Sequence, residues 1–186
     1  MKSNALENTK NVTLKEFRES QKVSTGDFEL IAGEIIAMSK ASINHGLIAK
    51  NIANLLEISL GSKKCVSIVE TVEIEIKKRE ECFRPDVTVI CPPFSGLDSV
   101  IENPKIVVEI LSKSSMLTDH NAKREAYLTI EGLVAYLVVN QWKKEVVVYT
   151  SIQRGYVSKT YAGGETLSLK DWVELNIDEI YERVIF

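Results

Sequence analysis

The chain has 186 residues, 45% of them hydrophobic and 26% charged, which fits one ordinary globular domain with a sizeable core. A formal net charge of −3 argues against a generic nucleic-acid coat protein, and no apolar run approaches the ~20 residues of a membrane helix. The three cysteines, Cys65, Cys82 and Cys91, are odd in number and form no CxxC pair, so they read as buried or incidental thiols.

The opening MKSNALENTKNVTLKEF is polar and lacks the apolar core of a secretory signal, so a cytoplasmic protein is expected. Residues 1–12 are expected to be flexible and residues 13–186 to form a single domain. Thr13 is placed to cap a short helix running to about Glu19, with Leu14 and Phe17 on one side. FELIAGEIIAMS reads as two β-prone runs around Ala32-Gly33, a hairpin. From Ile43 to Leu60, apolar residues at 48, 52, 55, 56 and 60 follow helical spacing, and Gly61 sits where a C-terminal cap belongs.

Strands are expected next. Val66 to Val69 is a short apolar run. Thr71 to Lys77 alternates, with Val72, Ile74 and Ile76 facing a core and Glu73, Glu75 and Lys77 facing water. Pro85-Asp86 opens the strand VTVI, closed by Cys91-Pro92-Pro93. KIVVEIL after Pro104 is apolar apart from Lys105 and Glu109, as in a central strand covered on both faces. Thr118 to Glu131 turns helical, with Ala122, Ala126 and Ile130 spaced by four and Gly132 beyond the end. Val134–Asn140 and Glu145–Thr150 are two strands, and the closing WVELNIDEIYERVIF packs a short helix or strand on the core. The order of elements predicts a mixed α+β fold, a central mixed sheet flanked by helices.

A carboxylate inside an apolar strand is costly unless its charge is stabilised, so Glu109 needs a partner. Asp86 begins another strand, and if the two strands are neighbours, both carboxylates converge at one edge of the sheet. Two such groups with water and a backbone carbonyl suit octahedral Mg²⁺. A metal there would bind a phosphate oxygen and activate water, the chemistry of phosphodiester hydrolysis. With two histidines, and without a G-x-x-x-x-G-K-[ST] or G-x-G-x-x-G phosphate cradle, histidine-rich and nucleotide-binding mechanisms have no support. The clusters Lys63-Lys64, Lys77-Lys78-Arg79 and Lys143-Lys144 are candidate phosphate contacts, or simply solvated faces.

RPDVTVI, PKIVVEILSKSS and DHNAKREAYLTIEGLVAYLVVN, in that order, resemble the putative restriction endonuclease family of the PD-(D/E)XK nuclease superfamily. LIAGEIIAMS and the helix carrying His45 match that family's opening hairpin and first helix, so the resemblance spans roughly Leu14 to Tyr149. It implies a restriction endonuclease-like fold with an extra N-terminal hairpin and C-terminal strands. It further implies a Mg²⁺ (or Mn²⁺) site on Asp86 and Glu109, DNA as substrate and a homodimer. Leu111 stands where the superfamily has its lysine; the resemblance transfers that role to Lys123 on the following helix, with Lys113 as second choice. Glu34 matches a recurrent acidic position and is a further catalytic candidate, while His45 and Arg84 are placed to contact phosphate or support the site.

The expected function is therefore a metal-dependent DNA endonuclease. The alternatives are a nuclease fold without chemistry that binds nucleic acid or a protein, and a different metal-dependent phosphate-ester hydrolase on the same scaffold.

Overall fold

The structure, a computed structural model, describes residues 11–38, 40–112, 119–152 and 155–186. The first ten residues of the expected flexible segment lie outside that set, as do Lys113 and the side chain of His120. Val12 donates its amide to the Gly33 carbonyl at 2.9 Å.

Helix α1 (Leu14–Gln21) starts at Thr13, whose hydroxyl accepts from the Glu16 amide while the Glu16 carboxylate accepts from the Thr13 amide. Leu14 and Phe17 form its buried stripe. Strands β1 (Phe28–Ile31) and β2 (Glu34–Ala37) form the expected hairpin, turning through Ala32 and Gly33, both at positive φ. Gly33 is required twice over, since a Cβ there would lie 2.9 Å from the Asn11 Cβ. Helix α2 (Ile43–Leu60) is capped by the Ser42 side chain and ends at Gly61, φ 54°.

The following strands are β3 (Val66–Val69), β4 (Glu73–Ile76), β5 (Glu81–Phe83), β6 (Val87–Ile90), β7 (Val100–Ile101) and β8 (Ile106–Ile110). Helix α3 (Asp119–Tyr127) precedes β9 (Ala135–Val139), β10 (Glu145–Ile152), β11 (Gly155–Ala162), β12 (Thr166–Leu169), β13 (Val173–Asn176) and the single turn α4 (Ile177–Ile180). α3 is shorter than its apolar spacing predicted: Thr129, Ile130 and Leu133 follow it in successive turns that bond back three residues.

Six strands make a mixed sheet in the order β11-β10-β9-β8-β6-β3, antiparallel except between β8 and β9. Alternation sorts its side chains. Val87, Val89, Ile106, Val108, Ala135 and Leu137 pack with α2, β12, β13 and α4, while Val107 and Tyr136 face Ile31, Ile74, Phe83, Ala126 and Tyr127 on the other side. β8 is buried along its whole length, as its apolar sequence predicted.

The hairpin is more than an addition to this sheet. With β4, β5 and β7 it forms a second, five-stranded sheet, ordered β2-β1-β5-β4-β7. Its inner face contributes Ile31, Ile74 and Phe83, and its outer face is covered by α1 through Leu14, Phe17, Leu30 and Cys82. This corrects the wet face expected for β4. Glu73 is buried and Glu75 partly so, because Arg18 of α1 bonds both carboxylates and Gln21 donates to Glu73 at 2.9 Å.

A second correction concerns the thiols. Val66 pairs with Ile90 across β3 and β6, so Cys65 and Cys91 face each other at the strand ends and form a disulfide, their Cα atoms 4.0 Å apart. Cys82 remains a buried free thiol.

Candidate active site

The register of β6 and β8 pairs Val87 with Val108, which sets Asp86 opposite Glu109 on the same face of the sheet. Both carboxylates are buried, and both line an open cavity of about 810 Å³. One Asp86 oxygen accepts the Ile110 amide at 2.5 Å and the other lies 2.9 Å from His45 Nε2. A backbone donor thus fixes the carboxylate from the strand side, and an imidazole from the helix side.

His45 lies in the first turn of α2, its amide bonded to the Ser42 hydroxyl at 3.1 Å. Ser42 also donates to Gln141 Oε1 at 2.6 Å, and the Gln141 amide donates to the Leu111 carbonyl at 2.5 Å. The helix start is thereby tied to the ends of β8 and β9. Burial lowers the His45 pKa, but its bond to Asp86 and the charges of Asp86 and Glu70 outweigh that and leave it raised.

On the other side of Glu109 stands Lys123, buried on α3 beside Ala126 and Tyr127. Its ammonium reaches both oxygens of Glu109 at 3.3 Å and both oxygens of Glu29 at 2.9 Å. The Tyr127 hydroxyl, one helical turn further on, donates to Glu109 at 2.8 Å. Burial pushes the Glu109 carboxyl well above the usual carboxylate range; Lys123 opposes this, Asp86 and Glu29 add to it, and the Tyr127 bond pulls it back. Burial also holds the Tyr127 hydroxyl protonated, far above its ordinary titration range.

Asp86, Glu109, Lys123, His45 and Arg84 therefore meet at one cavity. The Arg84 amide donates to Glu29 at 2.9 Å, and its guanidinium pairs with Asp27 and, at 3.5 Å, with Glu73. Glu34 is not brought there. The hairpin register opposes Glu34 to Ile31, and Glu29 to Ile36 of the cavity wall. Glu34 therefore lies two residues, ~7 Å, nearer the exposed turn, and the hairpin acid in the site is Glu29.

Sequence reasoning missed Glu29, Glu70 and the role of Tyr127. Glu29 carried the signal that betrayed Glu109, a carboxylate in the apolar run Phe28–Ile31. Tyr127 stood four residues after Lys123, hence on its face of the helix. Glu70 had no such signal, since only the β3–β6 pairing brings it beside Asp86, its amide bonded to the Asp86 carbonyl at 3.1 Å. His45, Glu70 and Asp86 each offer one donor atom within 4.8 Å of the others.

The profile of the Uma2 family, described as putative restriction endonucleases, matches residues 14–178. The chain belongs to the Uma2 family. Two proteins of Synechocystis sp. (strain ATCC 27184 / PCC 6803 / Kazusa) are similar in sequence. The uncharacterised protein sll1609 is 33% identical over 147 residues, covering 77% of this chain and 83% of its own. The uncharacterised protein slr1290 is 29% identical over 161 residues, covering 85% of each. In structure, this Uma2 chain is similar to a putative nuclease belonging to DUF820 from Anabaena variabilis ATCC 29413, with a TM-score of 0.77 and 16% identity. That likeness covers 94% of this chain and 99% of the other, and it shows a shared fold.

Five carboxylates (Asp27, Glu29, Glu70, Asp86, Glu109) and three cationic side chains (Lys40, Arg84, Lys123) line the Uma2 cavity. Lys123 and Arg84 are both engaged with carboxylates. Such a surface repels a phosphodiester, and a divalent cation would reverse the local field, so the donor set fits the metal expected from the sequence. Of the three basic clusters, Lys77 pairs with Glu102, Arg79 with Glu81, Lys143 with Glu145 and Lys144 with Asp178. Trp142, next to Lys143, lines the cavity. No helix among the described residues is long and apolar enough to cross a membrane.

Proposed function

We propose that this chain is a metal-dependent endonuclease that hydrolyses DNA phosphodiester bonds at the Asp86–Glu109–Lys123 site. The observation that carries this reading is the meeting of those three side chains at one open cavity, although they come from two strands and a helix distant in sequence.

Asp86 and Glu109 would hold Mg²⁺ or Mn²⁺, which when bound supplies charge neutralisation and an acidified water. The protein's own contribution is orientation. The Ile110 amide and His45 fix both oxygens of Asp86, leaving outer lone pairs towards the cavity. Tyr127 and Lys123 oppose the cost of burying Glu109 as a carboxylate, and a bound cation would complete that stabilisation. Lys123, steadied by Glu29, takes the place of the lysine absent at Leu111; its ammonium stands at the cavity wall to orient the attacking water and to stabilise negative charge on the scissile phosphate. Cutting both strands of a duplex needs two such sites, so the active unit on cytoplasmic DNA would be a homodimer.

Plasmid nicking in Mg²⁺ or Mn²⁺ tests the reading, with Asp86→Asn and Glu109→Gln as paired controls whose folding is checked by circular dichroism. Loss of metal-dependent nicking in both variants supports it. A wild-type protein that binds DNA, with an affinity falling steeply with salt, yet cleaves none in either metal would instead favour a silent binding module, the reading that Leu111 in the lysine position supports.

A further inference from the structure

The carboxylate pair expected to hold the metal is unevenly occupied. Glu109 is taken up by Lys123 and Tyr127, whereas Asp86 opens towards His45 and Glu70. His45 Nε2 lies 2.9 Å from the Asp86 oxygen and 3.8 Å from Glu70 Oε1, and all three donor atoms fall within 4.8 Å. An octahedral ion with bonds of about 2.1 Å places neighbouring donors about 3.0 Å apart and opposite donors about 4.2 Å apart. The 2.9 Å and 3.8 Å separations of His45 Nε2 from Asp86 and Glu70 lie close to that range.

A further observation points to a ligand rather than a chance acidic cluster. The His45 side chain is only 8% exposed, and its Nδ1 has no protein partner among the described residues, so a cation bound by Nε2 and Asp86 would replace the proton they share while Nδ1 keeps its own. Glu70 is held in the left-handed region at φ 47°, and its amide is tied to the Asp86 carbonyl. A positive φ at a non-glycine residue is costly, and here it delivers a half-exposed carboxylate beside Asp86.

We propose that His45 and Glu70 complete the metal site around Asp86, and that this nitrogen-containing donor set selects a first-row transition ion, Mn²⁺, over Mg²⁺. The inference rests on the metal-dependent reading above and shares Asp86 with it. Mg²⁺ takes oxygen donors and sheds water reluctantly, whereas an imidazole nitrogen favours first-row ions and carboxylates accept Mn²⁺.

Binding, not cleavage, is the readout. Isothermal titration calorimetry with MnCl₂ and MgCl₂ alone compares wild type with His45→Ala, Glu70→Gln and Glu109→Gln. Pulsed electron paramagnetic resonance of the Mn²⁺ complex reads directly coordinated nitrogen. The expected result is Mn²⁺ bound at least ~10-fold more tightly than Mg²⁺, with nitrogen modulation in wild type. His45→Ala should abolish the modulation and the preference, and Glu70→Gln, a change at a half-exposed position that leaves the fold intact, should weaken Mn²⁺ at least ~10-fold. Mn²⁺ binding without nitrogen modulation, unchanged by Glu70→Gln but lost in Glu109→Gln, would overturn this inference and leave the Asp86–Glu109 reading standing. Absence of any metal binding by wild type would overturn both.

Discussion

Lys123 stands closer to Glu29, at 2.9 Å, than to Glu109, at 3.3 Å. The ammonium of the third helix is thus anchored by the N-terminal hairpin while it serves the acid of the central strand. The hairpin is therefore part of the site's construction as well as of the second sheet. Glu29 belongs to β1, Glu109 to β8, and α3 carries the cation between the two sheets.

Removing that cation leaves two buried carboxylates facing each other. Lys123→Met is expected to destabilise the fold by about 3–5 kcal/mol, measured by urea unfolding. In a Glu29→Gln background the cost should shrink, because one of the stranded charges is gone. Equal costs in both backgrounds would show that Glu29 and Lys123 do not interact energetically.

Glu29, and not the expected Glu34, lines the cavity. Glu29→Gln should lower metal-dependent nicking at least ~10-fold, as loss of a group supporting a catalytic residue does. Glu34→Gln, on the exposed end of β2, should stay within about 0.5 kcal/mol of wild-type stability and near wild-type activity. The reverse ranking would return Glu34 to the site.

Tyr127→Phe retains the ring contacts to Phe83 and Tyr136, both at 5.1 Å between centroids, and deletes only the hydroxyl on Glu109. The expected loss is about 1.5–3 kcal/mol in chemical denaturation, the value of a hydrogen bond to a charged group. A cost below ~0.5 kcal/mol would mean that the hydroxyl contributes nothing to holding Glu109.

Burial pushes the Cys82 thiol up to about 12; Glu73 adds to this and Arg18 opposes it. The unfolded thiol titrates near ~8.5, so the folded state holds its proton more tightly. The resulting stabilisation is complete below pH ~8.5 and is lost as pH rises towards 12. Iodoacetamide at pH 8.5 should leave native Cys82 unmodified and label it on unfolding, as read by mass spectrometry. Cys65 and Cys91, joined as a disulfide, stay unlabelled without reductant. Rapid labelling of the native protein would contradict a buried, protonated thiol.

Apart from the short strands β5 and β7 and the end of α3, the sequence by itself determined most of the elements and singled out the two central acids. Local chemistry settles these: Thr13 and Ser42 cap helices, Gly33 turns the hairpin, and an apolar run such as Ile106–Ile110 declares a covered strand. The same logic marked Glu109 as a charge needing a partner, while the family resemblance pointed to Lys123 on the following helix. Tertiary structure alone decided who the partners are. β6 beside β8 brings Asp86 opposite Glu109, β3 beside β6 brings Glu70 to Asp86 and Cys65 to Cys91, and α1 over β4 turns an expected wet face into a buried ion cluster. Periodicity reports which face of an element is buried, whereas strand order and register are set by long-range packing across two sheets, which no local pattern in this chain encodes.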